Sequence, residues 1–184
     1  MNEEASFPWA MAAIKKTTRP TLRLGTAQLK SLGKNCEEAL ALLKEHVEVE
    51  AFTSETSDRT SAEAAAKALK GVDQTSDIDW DFSGCTLTGP DPKGAGVEVV
   101  KPTAKYDTAR VLSDIPDATP ETLGDYVSEK DQKACKKAAA LLDAAGSVRQ
   151  LRLTAKEDEG YTVCITLASG TEGAFGLLTV RSDT

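Results

Sequence analysis

The run from Val148 to Thr184 constrains this chain most, because it reads as three consecutive strands. In Tyr161-Thr162-Val163-Cys164-Ile165-Thr166-Leu167 every odd position is apolar and nearly every even one is polar. That is the two-residue period of a half-buried strand. Leu151 and Leu153 share one face of the preceding run, Val148 to Ala155, and the following run, Ala174 to Arg181, is rich in β-forming residues. Lys156 to Gly160 and Ala168 to Gly173 carry the glycine and charge of hairpin loops. The spacing predicts an antiparallel meander that brings the last residues, Asp183 and Thr184, to the edge of a sheet.

With 184 residues, 40% hydrophobic and 28% charged, the chain supports one domain with a real core. No run approaches the ~18 apolar residues of a spanning helix. Glu3 and Glu4 precede the short apolar patch Phe7 to Ile14, and Lys15 and Lys16 follow it. That order is the reverse of a signal peptide, so an intracellular, cytoplasmic protein without a membrane partner is expected. Net charge is −7, unevenly placed: residues 1–34 hold Lys15, Lys16, Arg19, Arg23, Lys30 and Lys34 against two acids, which leaves −11 for the rest. An acidic body repels nucleic acid and attracts basic surfaces, although acidity alone is common among soluble domains. Residues 1–34 read as a basic extension, with Thr21 to Leu24 as a possible short strand, and 35–184 as the domain.

Further elements follow from caps and periodicity. Asn35 with Glu38 has the form of a capping box, opening a helix with Cys36, Ala39, Leu40, Leu43 and Val47 on one stripe. Phe52 to Asp58 is a loop of short polar residues. Thr60 with Glu63 marks a second capping box, opening an alanine-rich helix that Gly71 can end. Ile78 to Phe82 and Val97 to Lys101 are candidate strands, and Gly84 to Gly96 reads as a long loop between them. Thr119-Pro120-Glu121 starts a short helix. Ala134, Cys135, Ala138, Leu141, Leu142 and Ala145 stripe a longer one, closed by Gly146.

The chemistry of an enzyme has no visible seat here. No G-x-S-x-G, G-x-G-x-x-G or Walker A pattern occurs, and His46 is the only histidine. Cys36, Cys85, Cys135 and Cys164 are widely separated, which disfavours zinc; they fit free thiols better than disulfides, since Cys36 and Cys135 lie on helical apolar stripes. Asp77, Asp79 and Asp81 alternate along a strand, as the solvent face of an antiparallel sheet does, and as a hard-cation site also can. A binding protein without catalytic residues, metal or cofactor of its own is the expectation, with no direct contact to nucleic acid.

The order of features resembles the nuclease A inhibitor family. Tyr161-Thr162-Val163-Cys164-Ile165 is similar to that family's penultimate strand, Gly173-Ala174-Phe175-Gly176-Leu177-Leu178-Thr179 to its "G-x-L-A-G-x-x-T" segment, and the final acid and threonine, Asp183 and Thr184, to its terminus. Ser54-Glu55-Thr56-Ser57-Asp58 resembles its "S-E-S-[ED]" loop, and Thr119-Pro120-Glu121 with Tyr126 its "T-P-x-D-W" start, with tyrosine in place of tryptophan. The resemblance implies a three-layer α/β/α sandwich that blocks the active site of a sugar-non-specific ββα-metal endonuclease. Glu55 would then make a principal polar contact, flanked by Ser54 and Asp58, and the Thr184 hydroxyl would approach the target's catalytic Mg²⁺. Two departures stand out: the family passes directly from the loop into a strand, where residues 59–72 here read as a helix, and residues 1–34 are extra.

Overall fold

The computed structural model describes residues 19–70, 78–113, 128–154 and 161–182. They form a mixed α/β fold around one seven-stranded sheet, in the order β2-β1-β3-β7-β6-β5-β4. The strands are β1 (Thr21–Leu24), β2 (Glu48–Ala51), β3 (Ile78–Thr88), β4 (Val97–Val100), β5 (Val148–Thr154), β6 (Tyr161–Ser169) and β7 (Ala174–Ser182). Five helices lie among the described residues: α1 (Thr26–Asn35), α2 (Glu37–His46), α3 (Ser57–Ala68), α4 (Thr108–Ser113) and α5 (Glu129–Asp143). Only β1 and β2 are parallel, and the α1–α2 pair supplies the crossover that parallel neighbours require; every other pairing is antiparallel.

The expected meander is present. Val163 opposes Leu153 on β5 and Val180 on β7, and Ile165 opposes Leu151 and Leu178. All six are fully buried, which is why the two-residue alternation was so clear in β6. Side-chain alternation then divides the core in two. Leu167 and Leu178 join a cluster with Leu32, Ala39, Leu42 and Leu43 of α1 and α2. Their strand neighbours Ala168 and Leu177 join another, with Ala62 and Ala65 of α3, Leu112 of α4, and Cys135, Ala138 and Leu142 of α5. Successive strand residues point to opposite faces, so the central strand β7 is covered on both. A buried polar brace ties α4 to the sheet: the Gln150 amide donates to the Val111 carbonyl at 3.3 Å and to Thr166 Oγ1 at 2.9 Å, and its oxygen accepts from Arg152 Nε at 2.7 Å. Each of these buried groups is therefore satisfied.

Several expectations change. The sheet begins upstream of residue 35: Thr21–Leu24 sits as β1 between β2 and β3, and Leu22, Leu24 and Leu32 are fully buried, so this part of the basic segment belongs to the body. Asn35 does not cap α2. It ends α1, where its amide donates to Ser31 Oγ one turn back, and Cys36 takes the N-cap position without a side-chain bond. The strand read over 78–82 runs on to Thr88, through residues whose glycine suggested a loop. Gly84 is required there because α3 crosses so closely that a Cβ would stand 2.8 Å from the Ala62 carbonyl oxygen. Along α5, Cys135, Ala138 and Leu142 are buried as expected, but Leu141 is 40% exposed. The helix read at Thr119 and the terminator Gly71 lie outside the described residues. All four cysteines are free and buried, and no described helix is long and apolar enough to cross a membrane.

Burial pushes the Cys85 thiol up from 9.0 to about 12, because its thiolate would lose its hydration inside the core. The folded state therefore keeps this proton at pH values where the unfolded chain releases it. Above about pH 9 the unfolded state binds fewer protons, so stability falls as pH rises. Urea unfolding of the wild type and Cys85→Ala between pH 7 and pH 10.5 should show the stability advantage of the wild type shrinking above pH 9. A gap independent of pH would contradict the buried, protonated thiol.

Candidate functional site

The loop between β2 and α3 is built by the helix start that follows it. Thr56 is the N-cap of α3, its Oγ1 accepting from Arg59 N at 3.1 Å, so the cap lies four residues before the one expected at Thr60. The Thr60 hydroxyl instead donates back to the Thr56 carbonyl at 3.1 Å. Three residues into the helix, Arg59 gathers the loop around itself. Its guanidinium lies 4.7 Å from the centre of the Phe52 ring, pairs with Glu55 at 3.2 Å and Glu63 at 2.6 Å, and donates to the Ser54 carbonyl at 3.4 Å. Ion pairs this exposed contribute about 0.2–1 kcal/mol each; what they do is hold one loop conformation.

Asp58 is the stronger tie. It is 5% exposed, and its two carboxylate oxygens accept from the backbone N–H groups of Thr171 at 2.6 Å and Glu172 at 3.0 Å. The start of α3 is thereby clamped to the turn between β6 and β7, and Ser57 Oγ reinforces it at 3.0 Å from Thr171 Oγ1. Hydrogen bonds to an ionised acceptor contribute about 1.5–3 kcal/mol, more than the whole set of exposed pairs around Arg59. Gly170 makes room for the clamp, since a Cβ there would meet Asp58 Oδ2 at 2.5 Å.

Of the residues singled out from the sequence, Ser54 and Glu55 are exposed on this loop, Glu55 with 75% of its side chain in solvent. Asp58 is beside them but faces inward, so its carboxylate meets the hairpin rather than an approaching surface. Tyr126, Asp183 and Thr184 lie outside the described residues, as does Asp77. β7 leads away from the loop. It starts at Ala174, beside the clamped turn, and ends at Ser182, nine residues in all, or about 26 Å at the rise of a strand. Ser182, the last described residue of β7, therefore lies about 26 Å along the strand from the clamped turn. Among the described residues no group of three or more His, Cys, Asp or Glu side chains is placed to hold a metal ion.

The residues that sequence reasoning missed are Thr56, Arg59 and the turn at Thr171 and Glu172. Thr56 and Arg59 carried a local signal, a threonine three residues before a long side chain with acids four residues to either side. Thr171 and Glu172 carried none, because they lie 113 and 114 residues from Asp58.

Replacing Asp58 by Ala should cost at least about 1.5–3 kcal/mol, the contribution of one charge-assisted hydrogen bond. Glu55→Gln, at an exposed pair, should change stability by less than about 1 kcal/mol. Urea unfolding of both variants reads the difference directly; equal effects would contradict the assignment of the clamp to Asp58.

Comparison with protein-family models, with curated proteins and with solved structures finds no match for this chain.

Proposed function

We propose that this protein binds and inhibits a sugar-non-specific ββα-metal endonuclease, without catalysis or cofactor of its own, through the loop that carries Ser54 and Glu55. In this reading the helices around the sheet make the three-layer α/β/α sandwich of the family the sequence resembles, and the protein acts in the cytoplasm. The supporting observation is the Asp58 clamp, which fixes the loop to the β6–β7 turn at 2.6 and 3.0 Å while leaving Glu55 in solvent. A loop ordered before binding avoids much of the entropy cost of immobilising it in a complex. Glu55 can exchange its exposed pair with Arg59 for a basic group on the target at little expense, because that pair contributes so little. The net charge of −7 favours fast encounter with a basic nucleic-acid groove and competition with its phosphates.

Thr184 belongs to the same proposal as the hydroxyl that approaches the target's Mg²⁺, a hard cation that takes oxygen ligands. Its contact and that of the Glu55 loop are tested separately. A second reading is a non-inhibitory structural or regulatory protein-interaction module on the same fold, which the ordered, exposed loop would serve equally well.

Inhibition of a ββα-metal nuclease, titrated in 50 and 300 mM salt, distinguishes the two. Glu55→Gln should weaken inhibition about tenfold, within the range of a buried interfacial charge pair, and the wild type should lose affinity at the higher salt. A chain lengthened by two residues past Thr184 should lose inhibition with its fold intact. Full inhibition by both variants would overturn the proposal, and a loss with Glu55→Gln alone would leave the loop contact and remove the metal approach.

A further inference from the structure

The two edges of the described sheet differ in chemistry. At one, β2 carries Glu48 and Glu50, which pair with Arg19 at 3.4 Å and Arg23 at 3.2 Å. Charged side chains on a short strand are what keep an edge from pairing. At the other, β4 reads Val97-Glu98-Val99-Val100. Val99 is 46% exposed, one of two large hydrophobic side chains so placed among the described residues. β5 pairs with one side of β4, and no described strand pairs with the other.

The register shows which backbone groups that open side presents. The Thr154 N–H donates to the Gly96 carbonyl at 2.9 Å, and the next residues along, Val97 and Leu153, oppose each other. Gly96 and Thr154 are therefore a hydrogen-bonded pair, and the alternation of an antiparallel ladder makes Glu98–Arg152 and Val100–Gln150 the following ones. Val97 and Val99 fall between them and turn their N–H and C=O groups away from β5. The Val97 N–H donates to the Gly94 carbonyl at 3.2 Å. The Val97 carbonyl and both backbone groups of Val99 have no partner among the described residues.

Side chains repeat the pattern. Val97 packs on the core cluster that holds Leu151 and Leu153. Val99 opposes Leu151 and so lies on the same face, at the rim of that core. Glu98, on the other face, opposes Arg152, a favourable cross-strand pairing of charge. The surroundings are also less acidic than the body: residues 93–110 hold Lys93, Lys101, Lys105 and Arg110 against Glu98 and Asp107, a net +2 where the whole chain carries −7.

We propose that β4 is a dimerisation edge: two copies of this chain pair their β4 strands antiparallel about a twofold axis at Val99, joining two sheets into one. Only the outward-facing residues can exchange hydrogen bonds, so Val97 and Val99 of one copy must meet outward-facing residues of the other. With Val99 opposite Val99, the N–H of each satisfies the C=O of the other, and Glu98 stands opposite Val100. A register shifted to put Val97 opposite Val99 would set Glu98 against Glu98, a destabilising pair. The Val99 register also continues the apolar row from Leu151 through Val99 into the second copy. The contact is isologous and closes at two. A basic segment of another protein would use the same backbone groups, but Glu98 already faces Arg152 and leaves no unmatched acid on β4 to select it. β5 lies between β4 and the strands that meet at the clamped turn, so this contact is separate from the Glu55 loop.

Sedimentation velocity of the full chain between about 20 µM and about 1 mM should show a dimer fraction that grows with concentration, as expected of a small, transient interface. Raising salt from 50 to 300 mM should leave that fraction equal or larger, because the repulsion of two acidic bodies is screened. Val99→Lys, at an exposed position, should keep the fold by circular dichroism and remove the dimer. Val99→Cys supplies a second readout, since the four native thiols are buried. Cα atoms about 5.5 Å apart in a hydrogen-bonded pair lie within disulfide reach. Air oxidation should therefore cross-link Val99→Cys several-fold faster than Leu141→Cys, a control at the other exposed hydrophobic position. A monomer at about 1 mM, a dimer that survives Val99→Lys, a dimer that salt dissociates, or equal cross-linking of the two cysteine variants would each overturn the proposal.

Discussion

Two hydrogen bonds from the N–H groups of Thr171 and Glu172 to the Asp58 carboxylate connect parts of this molecule that are far apart in sequence. Without them two backbone N–H groups of the β6–β7 turn would lose their acceptor within the protein, and the start of α3 would lose its strongest tie to that turn. With them, the loop from Phe52 to Thr56, the first turn of α3 and the turn joining the two longest meander strands form one surface. The clamp also explains local sequence: Gly170 is small because Asp58 lies against it, and Thr56 caps the helix one turn before Thr60 because the chain must already be helical where Asp58 turns inward.

The sheet gives that surface its rigidity. β7 is flanked by β3 and β6, and residues Ala174 to Val180 are buried along its length. The α3 helix packs down on β3 at Gly84, close enough to exclude a side chain. The first turn of α3 is therefore anchored both to the β6–β7 turn and, through the rest of the helix, to the packed sheet. The same geometry separates the ends of the sheet. The strand that begins at the clamp runs to Ser182, about 26 Å away at the rise of a strand.

The sequence disclosed the elements with a strong period and concealed those set by distant neighbours. β6 was legible because Val163, Ile165 and Leu167 alternate with polar residues, and α5 because Cys135, Ala138 and Leu142 recur at helical spacing. β1 was harder: its four residues are too few for a period, and only its place between β2 and β3 explains why Leu22 and Leu24 are buried. Gly84 signalled a loop by composition yet serves a strand, since the demand for a small residue comes from α3. The Ser54–Asp58 segment was legible as a polar loop, and Glu55 as its exposed acid. The inward turn of Asp58 was not, because its partners are 113 and 114 residues away and no local pattern encodes a backbone N–H.

The most direct measurement is hydrogen–deuterium exchange of the full chain, free and bound to a ββα-metal nuclease. If the clamped loop is the binding surface, exchange should slow on binding over Phe52 to Thr60 and Ser169 to Gly173, with β4 and α2 unchanged. Slowing confined to β4 or α2, with the loop exchanging as in the free protein, would contradict it.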